Sequence, residues 1–139
     1  MNRFVAGFIG SPAMNFVKAH VEGTRFVSDE VSLDANEELM AALKDYQGKE
    51  VWVGVRPENI TVPSAENPVR DGNRIRAMVD VVEPLGAETH IIAKVGASSI
   101  VARVAPDVTA EAGEMIELVV EEDSLHAFDL ENELNLRFL

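Results

Sequence analysis

The sequence predicts a mainly β fold, a small barrel or sandwich that carries one helix. Three observations lead there. From Arg74 onward the chain is rich in β-forming residues, cut by turn signals into short runs. A second β-rich run, Val51 to Val55, precedes it. Only one stretch, Asp34 to Tyr46, has both helical spacing and end signals.

In chain order, Phe4, Val5, Phe8 and Ile9 form one apolar stripe of a helical turn over Arg3 to Ile9, stopped by Gly10-Ser11-Pro12. Met14 to Val21 reads as a strand, Glu22-Gly23 as a turn, and Thr24 to Leu33 as one or two more short strands. In the helix, Asp34 is the expected N-cap, with Glu37 in the capping-box position. Leu39, Leu43 and Tyr46 share a face with Met40 beside them, and Gly48 supplies the left-handed stop. Arg56-Pro57-Glu58-Asn59 breaks the following strand, and Pro63 to Asn73 reads as a surface loop. Strands are then expected at Arg74 to Glu83, Glu88 to Val95, Ile100 to Val104, Met115 to Val120 and His126 to Asp129. The 139 residues suit one domain with a single core, and 47% of them are apolar.

Charge narrows the function. The chain carries 24 acidic against 12 Lys and Arg residues, a net charge of −12. That sign opposes nucleic-acid backbones and anionic membrane surfaces. Glu111, Glu114, Glu117, Glu121, Glu122 and Asp123 fall in a stretch without Lys or Arg, which reads as a solvated face or a docking surface for a basic partner. There is no cysteine, so disulfides, thiolate chemistry and cysteine zinc sites are excluded. No apolar run approaches the roughly 20 residues of a membrane-spanning helix, and the N-terminal apolar run is too short for a signal peptide.

The chemistry-bearing motifs are missing. A P-loop needs Gly-Lys followed by Ser or Thr, so that backbone N–H groups and the lysine hold phosphates. Here Gly48-Lys49 is followed by Glu50, which repels phosphate. The three histidines, His20, His90 and His126, share no ligand spacing, so no metal site is expected. His90 reads as a satisfied edge or barrel residue. No catalytic residue is assigned.

Four stretches carry a resemblance. They are Asn2 to Phe16, with its unusual Phe4-Val5-Ala6-Gly7-Phe8-Ile9-Gly10-Ser11-Pro12; Gly54-Val55-Arg56-Pro57-Glu58-Asn59-Ile60; Val79 to Thr89, with Glu83-Pro84-Leu85-Gly86-Ala87-Glu88-Thr89; and the end pattern of Asp123, His126 and Phe128-Asp129. Together they resemble the C-terminal, transport-associated OB (TOBE) part of the ATP-binding subunit of sugar importers, in the maltose/glycerol-phosphate (MalK/UgpC) branch of ABC transporters. The resemblance covers essentially the whole chain.

It implies an OB-like barrel of the TOBE/MOP kind with additional strands and one inserted helix. Residues 1–139 would be a single regulatory domain, with 1–12 as the segment that follows the ATPase domain. The implied role is regulatory and not catalytic: such domains pair across a two-fold axis, hold two ATPase subunits together, and in some members bind regulatory proteins. ATP and Mg, in this reading, belong to the parent protein. The implied partners are a second copy of the chain, the parent's ATPase domain, membrane permease subunits and a regulatory protein, with no nucleic acid. The implied place is the cytoplasmic face of the cell membrane. The candidate interface residues are Phe4, Phe8 and Ile9 of the entry segment, Met14, Asn15 and Phe16 of the first strand, Arg56 and Glu58 around Pro57, and Gly86 and Glu88 of the later turn. Asn15 is suited to bond a nearby backbone group. Arg56 and Glu58 equally suit a structural loop salt bridge, and Glu88 suits a pairing surface or plain solvent. The competing readings are a small-ligand or oxyanion-binding OB-like module and a nucleic-acid binder, the latter disfavoured by the acidity.

Overall fold

The computed structural model describes residues 14–130. The expected helical turn at Arg3 to Ile9, with Phe4, Phe8 and Ile9, lies outside the described residues. The strands are β1 (Asn15–Glu22), β2 (Arg25–Val27), β3 (Val31–Asp34), β4 (Glu50–Val55), β5 (Ile60–Thr61), β6 (Asn73–Pro84), β7 (Thr89–Val95), β8 (Ser98–Val104), β9 (Met115–Val120) and β10 (His126–Asp129), with one helix, α1 (Glu37–Leu43). Neighbouring strands run in the order β10-β4-β1-β2-β3-β6-β7-β8, and β9 joins β6 to β5. All the pairings between these strands are antiparallel. The expected mainly β fold is therefore what forms.

Alternation sets the layers. Along β1, Asn15, Val17, Ala19 and Val21 are buried while Lys18, His20 and Glu22 are exposed, the period-2 signature of a strand with one wet face. Phe26, Leu33, Ile75, Ile91, Ile100 and Leu118 are the large side chains that fill the curled interior. Strand β6 is the longest and turns the corner of the sheet. It pairs with β3 at Arg74 and Ile75, and with β7 from Met78 onward. A register shift between Val79 and Val81 bends it there.

The helix differs from the sequence reading in two details. The helix is shorter than Asp34 to Tyr46, and Asp34 does not cap it. Asp34 ends β3 instead, where its carboxylate accepts from Arg25 Nε at 2.7 Å and its N–H donates to the Gly72 carbonyl at 2.7 Å. Asn36 takes the cap, its Oδ1 accepting from the Leu39 N–H at 3.0 Å. Lys44–Tyr46 continues as one 3₁₀ turn. The helix buries Leu39 and Leu43 as expected, leaves Met40 exposed, and is followed by Gly48 at φ +76°. Its 3₁₀ extension is tied to the last strand, because the Tyr46 hydroxyl donates to Asp129 at 2.6 Å. That bond first, then burial and the charges of Asp129 and Asp45, push the phenol up to about 12.

Candidate interaction site

The order of strands leaves β8 at one end of the sheet, and a side chain closes it. Asn15, at the start of β1, donates from Nδ2 to the Val101 carbonyl at 2.8 Å and accepts from the Val101 N–H at 2.9 Å through Oδ1. A primary amide offers one donor and one acceptor side by side, as a peptide group does. Asn15 thus does for β8 what a residue of a neighbouring strand would do, across 86 positions of sequence. It is buried, so these bonds are shielded from competing water.

Farther along β8, Arg103 gathers carboxylates from two turns. Its Nε and Nη2 each donate to Glu88 at 3.0 Å, a bidentate pair. Glu58 lies 3.8 Å from Nη1 of the same guanidinium. His90 Nε2 also pairs with Glu88. Hydrogen bonds first from Arg103 and then from His90 hold the Glu88 carboxyl below the usual range, while Glu88 raises Arg103.

Local sequence explains the placement. Leu85-Gly86-Ala87 turns the chain from β6 into β7, with the Leu85 N–H donating to the Glu88 carbonyl at 2.9 Å. Gly86 sits at φ +89°, and a Cβ there would meet no atom within 4 Å, so the demand for glycine is the backbone's alone. Pro57 opens a 3₁₀ turn (Pro57–Asn59) that Ile60 closes by donating to the Pro57 carbonyl, which presents Glu58 to β8. Arg56 leads into this turn and accepts from the Asn59 N–H through its carbonyl at 2.9 Å.

The structure therefore brings Asn15, Glu58 and Glu88 together on β8. Met14 and Phe16 go elsewhere. They pack on the opposite face of β1 and β4 with Trp52, Phe128 and Leu130. Phe16 meets Phe128 edge-on at 5.6 Å between ring centres. Gly54 gives this cluster room: a Cβ there would lie 2.6 Å from Met14 Sδ and 3.2 Å from the Phe128 ring. Lys18 Nζ stands 5.1 Å above the Trp52 ring. Phe4, Phe8 and Ile9 lie outside the described residues. The sequence reading missed Val101 and Arg103. Both sit in an ordinary strand, and nothing local marks a residue whose partners are 86 and 15 positions away.

A groove of about 730 Å³ runs beside this second cluster, bounded by Lys18, His20, Asp29, Glu30, Glu50, Trp52 and the β7–β8 turn. Carboxylates outnumber cations along it. No group of three or more His, Asp or Glu able to hold a metal occurs among the described residues. Among the same residues, no helix is long and apolar enough to cross a membrane.

Comparison with known proteins agrees with this architecture. A model of the MalK OB fold domain matches residues 10–60, and a model of the TOBE domain matches residues 53–128, more than half of the chain. An uncharacterized ABC transporter ATP-binding protein, YcjV of Escherichia coli O157:H7, is 38% identical over 138 residues, covering 98% of this chain and 37% of its own length. The sulfoquinovosyl glycerol transport ATP-binding protein SmoE of Agrobacterium fabrum is 32% identical, over 96% of this chain and 36% of its own. The oligosaccharides import ATP-binding protein MsmX of Bacillus subtilis is 34% identical, over 98% and 38%. The chain thus spans little more than a third of the length of these relatives. Among solved structures, the cytoplasmic molybdate-binding protein ModG aligns with a TM-score of 0.60 at 15% identity, over 81% of this chain and 94% of that one, a likeness of fold alone. On these grounds the chain belongs to the TOBE-domain family found in ABC transporter ATP-binding subunits, built on a MalK-type OB fold.

Proposed function

We propose that this chain is the regulatory and pairing domain of the ATP-binding subunit of a carbohydrate importer, and that it has no ATP turnover of its own. The observation that carries the reading is the match of nearly the whole chain to SmoE and MsmX, whose names specify transport of a sugar glycoside and of oligosaccharides. The missing phosphate-binding motifs support a non-catalytic part. In this reading residues 1–139 form one domain, and 1–12 lead in from an ATPase domain that holds ATP and Mg. Permease subunits are reached through that domain, at the cytoplasmic face of the membrane, and a regulatory protein is a further partner. A second copy of the chain is the direct one. A contact away from the ATP site raises the effective concentration of the two moving halves for each other.

The test is the solution mass of the pure chain by light scattering over a concentration series, with ATP turnover assayed on the same sample. Concentration-dependent dimerisation without turnover is expected. ATP hydrolysis by the pure chain would overturn the non-catalytic assignment.

A further inference from the structure

The seam between β1 and β8 is bridged by the side chain of Asn15 and not by strand pairing. The direction of each backbone group shows what this leaves open. The Val21 N–H donates to the Lys49 carbonyl at 3.0 Å and the Val21 carbonyl accepts from Gly48 at 2.8 Å, so Val21 turns both groups toward the β4 side. Neighbouring residues of a strand point opposite ways. Phe16, Lys18, His20 and Glu22 therefore turn theirs away from β4. There β2 reaches only as far as Val27, opposite His20. Among the described residues no strand pairs with Phe16 or Lys18 on that side. Across the gap, Val101 aims its N–H and carbonyl at Asn15, so Ser99 of the same strand faces the gap too. Strand β8 pairs with β7 alone. Free backbone edge thus lies on both banks, and the groove of about 730 Å³ is lined by Phe16, Lys18 and Ser99 from those banks. A free edge is a template for one more strand.

We infer that this groove takes an extended segment of a partner protein, rich in basic side chains, added as a strand on the free edge of β1. The inference stands on the sheet alone and goes beyond the roles proposed above. Strand addition needs a backbone donor and acceptor at alternate residues, and Phe16 and Lys18 offer both. From Phe16 to His20 the edge runs about 13 Å, room for about five extended residues. The bonds of Asn15 to Val101 fix the banks before a segment arrives, which lowers the cost of ordering them. Charge sets the preference. Asp29, Glu30 and Glu50 line the groove. Among the described residues none of the three enters an ion pair. Lys18 is drawn aside, its ammonium 5.1 Å from the centre of the Trp52 ring. A segment with Lys or Arg at alternate positions is attracted by these carboxylates, and an acidic one is repelled.

The chain has a single tryptophan, Trp52, and it lines the groove, which gives a direct test. A capped peptide of alternating Val and Lys, about seven residues long, is titrated into the full chain. Trp52 fluorescence and the amide NMR signals of Phe16, Lys18 and Ser99 are followed. One control peptide carries Glu in place of Lys. Another keeps every charge but has both backbone edges blocked by N-methylation. The expected result is saturable binding with Kd below about 1 mM and slowed amide exchange at Phe16 and Lys18. N-methylation is expected to weaken it roughly tenfold or more, and the Glu peptide to give no response. Equal binding of the N-methylated peptide would overturn strand addition and leave charge attraction alone. Equal binding of the Glu peptide would overturn the basic preference. No saturable response up to about 1 mM would overturn the site. Phe16 and Lys18 amides already protected in the chain alone, by contacts with residues 1–13 or 131–139, would give the edge to the chain's own segment and overturn a partner's place there.

Discussion

At the scale of single residues, the amide of Asn15 is the most consequential group described. Replacing it with Ala strands the Val101 N–H and carbonyl beside a buried site. The expected loss is about 2 kcal/mol, measured by denaturant unfolding. Asn15→Asp keeps the acceptor but turns a carboxylate oxygen toward the Val101 carbonyl, so it is expected to be at least as damaging at neutral pH. Glu88 gives a prediction in pH. Its folded carboxyl is held low by Arg103 and His90. Its contribution is therefore complete above the unfolded carboxylate value of about 4.3 and is lost as pH falls through the lower folded value. Arg103→Gln should flatten that part of the acid limb of a stability-versus-pH curve, and a Glu88 titration followed by NMR should move toward the ordinary range in the same variant. Asn15, Glu58 and Glu88 stood out in the sequence through the motifs around them. Their common destination on β8 did not, because it depends on how the sheet curls and not on any neighbour along the chain.

At the scale of elements, the helix shows how a sheet overrides a local signal. Asp34 and Glu37 have capping-box spacing, yet the pairing of β2 with β3 claims Asp34 for Arg25. Asn36, two residues on, has the extended backbone and side chain a cap needs. Asn36→Ala is accordingly expected to cost about 1 kcal/mol. Asp34→Ala, which removes partly exposed ion pairs to Arg25 and Arg70, should cost less. Thermal melts of the two variants side by side check the ranking. The last two strands were readable from their runs: β9 runs from Met115 to Val120, after Gly113, and β10 from His126 to Asp129, after the polar Glu121-Glu122-Asp123-Ser124. The two-residue β5 was not, since Ile60 and Thr61 are too few to show a period, and β9 alone reveals them as a strand.

For the whole molecule, charge decides between readings that share one fold. ModG was solved with molybdate bound, and the likeness to it is one of fold. Here the net charge of −12 and the Asp29, Glu30 and Glu50 lining of the groove oppose an oxyanion. Calorimetric titration with molybdate and tungstate is expected to be flat, and heat of binding in the micromolar range would revive the ligand-binding reading. The acidic stretch near the C-terminus is partly offset in three dimensions, with Arg74 4.0 Å from Glu117 and Arg70 3.6 Å from Glu122. Both cations come from the segment before or within β6, distant in sequence, so the stretch looked more one-sided in the sequence than it is in the fold.

The bond between Asn15 and Val101 also bears on the order of folding. Hairpins such as β7–β8 close loops of a few residues and form early, whereas a contact spanning most of the chain must await everything between. The seam is then a late event, absent from the transition state. Losing it should leave the refolding rate nearly unchanged and speed unfolding. Stopped-flow chevrons of Asn15→Ala would show the whole effect on the unfolding arm, making a single amide the latch that sets how long β8 stays fastened to β1.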